Sequence, residues 1–78
     1  MNKIVYVEDE PEVGQLIAAY LAKHDMDVIV EPRGDRAEEL VASEKPDLVL
    51  LDIMLPGKDG MTLCRDLRAR WQGPIVLL

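Results

Sequence analysis

Positive charge is in short supply: nine Lys and Arg face fifteen Asp and Glu, a formal net charge of -6. That balance excludes a segment that grips nucleic acid by itself, because long-range repulsion from the phosphate backbone opposes it, and it suits a cation or a basic partner surface instead. Cysteine is limited to Cys64, which excludes an internal disulfide and a multi-cysteine zinc site, so a reducing, cytosolic setting is the default expectation. Long apolar runs are missing. After Met1-Asn2-Lys3 only Ile4 to Val7 precede acidic Glu8, so neither a signal peptide nor a membrane span is expected. The glycines form neither G-x-G-x-x-G nor G-x-x-x-x-G-K-[ST], which removes the usual dinucleotide and P-loop readings. There are no internal repeats, linkers or low-complexity tracts.

What is present is the composition of a packed domain: 49% hydrophobic and 31% charged residues, in 78 residues that allow one domain of marginal stability. Short β-branched runs alternate with longer stretches of helical spacing, which predicts βα units around a parallel sheet. Ile4-Val5-Tyr6-Val7 reads as a central first strand, apolar throughout because both its faces are covered. From Pro11 to about His24, the residues Val13, Leu16, Ile17, Tyr20 and Leu21 recur at three- and four-residue steps and predict one buried helical stripe. Val28-Ile29-Val30 reads as a second strand. The turn Pro32-Arg33-Gly34 then leads into a second helix that buries Ala37, Leu40 and Val41 and stops at Pro46.

Leu48-Val49-Leu50-Leu51 is a third strand, halted by Asp52 and followed by the exposed connection Ile53-Met54-Leu55-Pro56-Gly57. A third helix is expected from about Asp59 to Trp71, with Leu63, Cys64, Leu67 and Trp71 inward and Arg65, Arg68 and Arg70 in water. Gly73-Pro74 turns the chain into a fourth strand, Ile75 to Leu78.

Acids that close buried strands need solvent, a partner or a cation. Glu8-Asp9 closes the first strand and Asp52 the third, and in open parallel sheets ligands bind at the C-terminal strand edge where strand order reverses. With the order 2-1-3-4 the three carboxylates converge, and a hard cation such as Mg²⁺ relieves their repulsion. Taken alone, Asp9-Glu10-Pro11-Glu12 also reads as a capping box, with Asp9 as N-cap and Glu12 at N3. Asp52 as a turn initiator does not require so apolar an approach, and the two strand ends together favour the cation. His24 reads as a helix C-terminal residue beside Lys23 and Asp25, and Cys64 as core.

At these residues the sequence resembles the receiver domains of bacterial two-component response regulators. Val5-Tyr6-Val7-Glu8-Asp9-Glu10 is similar to the acidic first-strand motif of that family. Leu50-Leu51-Asp52-Ile53-Met54-Leu55-Pro56-Gly57-Lys58-Asp59-Gly60 is similar to its phosphoacceptor motif, in the Met-Leu-Pro-Gly form typical of the OmpR/PhoB-type transcription factors. The resemblance implies a flavodoxin-like (CheY-like) doubly wound α/β fold. It implies that Asp52 is the nucleophile, phosphorylated by a partner sensor histidine kinase. It also implies that Asp9 and Asp52 ligate Mg²⁺ directly, Glu8 through water, and Met54 through its backbone carbonyl.

Family members continue with a Thr or Ser after the fourth strand, a fifth strand ending in Lys, a switch aromatic, two further helices and a winged-helix DNA-binding domain, all beyond Leu78. Residues 1–78 are therefore expected to be a partial receiver that does not itself bind DNA or membrane. The fourth strand, left as a bare apolar edge, is expected to pair with another chain. Two competing readings remain. One is a Mg²⁺-dependent phosphohydrolase, whose usual D-x-D on a single strand is divided here, and the other is a non-phosphorylated interaction module.

Overall fold

A computed structural model describes residues 2–52 and 59–78. Among these residues seven elements alternate: β1 (Asn2–Val7), α1 (Pro11–Ala22), β2 (Met26–Glu31), α2 (Gly34–Glu44), β3 (Leu48–Leu51), α3 (Gly60–Arg68) and β4 (Ile75–Leu77). All strand pairs are parallel and the order is β2-β1-β3-β4, as the alternation and the expected 2-1-3-4 arrangement require. The connection expected at 53–57 lies outside the described residues.

Register explains the core. Val5 pairs with Val49 and Val7 with Leu51, so the period-two alternation places these four on one sheet face. They pack with Ala37 and Val41 of α2 and with Leu63 and Leu67 of α3, every one of them 1% exposed or less. Leu40, Cys64, Trp71, Ile75 and Leu77 close the margin of this cluster, so Cys64 and Trp71 are packing residues as expected.

Helix α3 ends at Arg68 and not at Trp71. The Arg68 guanidinium donates to the carbonyls of Trp71 and Gly73, which ties down the exit, and Arg70 reaches Glu38 of α2 at 3.8 Å. Both arginines are exposed, as the sequence expects, while making these contacts.

The opposite sheet face carries Tyr6, paired with Val30, and against it lies α1. Here the sequence expectation is corrected. Leu16 and Tyr20 are 69% and 60% exposed and Val13 is 36% exposed, while Gly14 is buried and Ile17, Ala18 and Leu21 are half-buried. The helix is turned about its axis because Gly14 has no side chain: a Cβ there would stand 2.8 Å from Val30 Cγ1. The small residue admits the close approach and swings the larger ones outward.

Helix α1 also stops at Ala22, short of His24. Asp25, at φ 61, turns the chain, the His24 backbone N–H donates to the Leu21 carbonyl at 2.9 Å, and the His24 ring lies 5.0 Å from that of Tyr20. Helix α2 ends in a left-handed Lys45 (φ 49), whose N–H returns to Val41 just before Pro46. Strand β2 outruns the expected Val28–Val30 because pairing with β1 extends from Met26 opposite Asn2 to Glu31 opposite Val7.

These burials separate two leucines. Leu63→Ala is expected to cost about 3 kcal/mol of unfolding free energy, and Leu16→Ala no more than about 0.5 kcal/mol. Urea titration followed by circular dichroism checks both.

Candidate metal centre

The last register pair of the central strands is Val7 with Leu51. Backbone pairing continues one residue further: Glu8 N–H donates to the Glu31 carbonyl at 3.0 Å, Asp52 N–H to Val7 at 3.1 Å and Leu78 N–H to Leu51 at 2.8 Å. Glu8 and Asp52 are therefore the next residues on neighbouring, aligned strands. Oxygen atoms of Glu8, Asp9 and Asp52 all lie within 4.8 Å of one another, Glu8 buried and the other two half-buried. The sequence prediction of convergence is met for these three acids. Met54 lies outside the described residues.

Glu8 is 6% exposed and is the buried charged residue of the described chain. The Tyr6 hydroxyl donates to its Oε1 at 2.9 Å and the Glu10 backbone N–H to its Oε2 at 3.2 Å. Burial pushes the Glu8 carboxyl above its ordinary range; the Glu10 and Tyr6 hydrogen bonds pull it back, and the neighbouring Asp52 raises it further. Tyr6 is pushed up to about 12, first by burial, then by its bond to Glu8 and the charges of Glu8 and Asp52.

Asp9 is not a cap. Helix α1 takes Glu10 as its N-cap, with no side-chain cap bond and with Pro11 at the first turn, where the missing N–H costs nothing. The side-chain cap sits instead on α3, where Asp59 accepts from Thr62 N–H at 2.9 Å and from its hydroxyl at 3.0 Å. Neither His24 nor Cys64 joins the site. His24 falls just before β2 begins, at the opposite sheet edge, and Cys64 borders the core.

The participant that sequence reading missed is Tyr6, taken there only as a strand residue. The available signal was a hydroxyl two positions before an acid, since alternate residues of a strand share a face. Chemically, three carboxylates in reach of one point form a hard oxygen donor set of the kind Mg²⁺ accepts.

The family model for the response regulator receiver domain matches residues 4–78. The chain belongs to this family. It is a receiver domain of the two-component response-regulator kind. This receiver is 80% identical over all 78 residues to the transcriptional regulatory protein RstA of Escherichia coli (strain K12), covering 33% of that protein. Among solved structures it is similar to the BeF3-activated N-terminal receiver domain of Klebsiella pneumoniae RstA, at 87% identity and a TM-score of 0.93, across 97% of this chain and 65% of that one. A two-component response regulator from Clostridium difficile gives the same TM-score of 0.93 at 27% identity, over 99% of this chain and 64% of that one. The receiver thus spans about a third of the length of the curated relative it matches. No helix among the described residues is long and apolar enough to cross a membrane.

The buried phenol has a measurable signature. Because the folded state keeps the Tyr6 proton after the unfolded chain has lost it, stability is intact below pH 10 and falls as pH rises towards about 12. Tyr6→Phe is expected to remove that part of the alkaline loss, as urea unfolding at stepped pH values will show.

Proposed function

We propose that this receiver accepts a phosphoryl group on Asp52 from a phosphohistidine of a sensor histidine kinase, with Mg²⁺ held by Glu8, Asp9 and Asp52. One observation carries the reading: three acids from two adjoining strand ends meet within 4.8 Å, one of them buried. A stable fold keeps such a cluster only where something gains from it, because its charges repel and one is desolvated.

Asp52 supplies the nucleophile as the first residue beyond β3, anchored by its own N–H to Val7 and half-exposed to an incoming donor. Its carboxylate oxygen attacks phosphorus in line; the oxygen–phosphorus bond forms, the phosphorus–nitrogen bond breaks, and the imidazole nitrogen leaves with the electron pair. Glu8 and Asp9 flank this position and supply the remaining side-chain oxygens for the cation, with the Met54 carbonyl proposed from the family motif. A bound Mg²⁺ contributes neutralisation of the carboxylates and of the charge on the equatorial phosphoryl oxygens. Phosphoryl transfer asks for positioning and charge compensation more than for proton chemistry, so no histidine base is needed. The domain acts on itself and turns over no separate substrate, which sets it apart from the phosphohydrolase reading.

The full-length context is proposed by likeness: a cytoplasmic transcriptional regulator whose DNA contacts belong to another domain. Strand β4 is an edge of the sheet, with Val76 43% and Leu78 57% exposed, and this supports the proposal that the 78-residue chain self-associates there. Sedimentation velocity is expected to show a concentration-dependent dimer; a monomer at high concentration refutes it.

Incubation with acetyl phosphate and Mg²⁺ is expected to add one phosphoryl group by intact mass, and chelation of Mg²⁺ to abolish it. Asp52→Ala is expected to take up none, and the surface variant Asp35→Ala to behave as wild type. Incorporation that survives Asp52→Ala refutes the assignment. Absence of incorporation in the wild type, with kinase docking retained, favours the non-phosphorylated interaction module.

A further inference from the structure

We infer that Tyr6 is a positioning residue for the cation site, its hydroxyl fixing the Glu8 carboxylate in the orientation that binds the metal; this rests on the Mg²⁺ reading above. Tyr6 is 2% exposed on the α1 side of β1, where an aliphatic side chain would serve packing equally well. A buried phenol needs a hydrogen-bond partner, and the partner here is Glu8 Oε1 at 2.9 Å.

The other Glu8 oxygen accepts the Glu10 N–H at 3.2 Å, from the turn that leads into α1. One donor comes from within the sheet and one from the loop, so the plane of the carboxylate is set from both sides. The same carboxylate is within side-chain hydrogen-bonding reach of Asp52, so the two fixed donors set which of its lone pairs face the acidic cluster. Without the phenol, Oε1 of a 6% exposed carboxylate loses its donor, and the side chain is free to turn away from Asp9 and Asp52. Groups that orient a metal ligand in this way typically change metal affinity by about 10- to 100-fold when removed.

The test is Mn²⁺ binding, followed by electron paramagnetic resonance of the free ion and repeated with Mg²⁺ by calorimetry. Tyr6→Phe keeps the ring and its packing. It is expected to weaken binding by about tenfold or more, while without metal at neutral pH it keeps a cooperative urea transition whose midpoint falls only by what one buried hydrogen bond supplies. In a Glu8→Gln background, where the oriented carboxylate is already gone, Tyr6→Phe is expected to change affinity no further. Unchanged affinity in Tyr6→Phe overturns the inference, as does an equal loss in the Glu8→Gln background. Those results leave the Mg²⁺ reading standing, because the wild type still binds. A wild type that binds neither ion overturns both.

Discussion

Everything distinctive about this domain follows from the register between β1 and β3. Pairing Val7 with Leu51 makes Glu8 and Asp52 the next residues on aligned strands, so their proximity is dictated by main-chain hydrogen bonds. Two full charges less than 4.8 Å apart repel by about 3 kcal/mol or more at an effective dielectric near 20. The eight-residue apolar cluster on the opposite side of those strands must outweigh that cost whenever no cation is present. Core and site are thus opposed in energy and joined in geometry, since Val7 and Leu51 are both the upper layer of the one and the support of the other.

Much of this was legible in the residues. Apolar runs that stop at acids identified both central strands and the site edge, and the alternation of runs with helical spacing gave the parallel sheet. What escaped was set by tertiary contact. The stripe Val13, Leu16, Ile17, Tyr20, Leu21 has good helical periodicity, yet a missing side chain at Gly14 decided which way the helix faces. Asp9 looked like a cap by local pattern, but Pro11 leaves one N–H fewer to satisfy at the start of α1, and the acid instead joins the cluster. Strand and helix ends moved by one to three residues wherever main-chain pairing or an arginine clamp, as at Arg68, outweighed side-chain periodicity.

The likeness to receivers sharing about a quarter of their residues shows how little of the sequence the architecture consumes. Polar detail is where individual members have room to differ. In this chain the fine structure around Glu8 comes from the Tyr6 hydroxyl and from the main chain of Glu10.

The parallel ladder also makes the centre intolerant of length changes. Because side chains of a strand alternate between faces, removing one residue from 48–51 would leave Asp52 on the side now filled by Leu51, buried against α2 and α3 with no counter-charge. Substitutions within that stretch can be absorbed by repacking, whereas a single-codon deletion would invert the polarity of the sheet at its most constrained point.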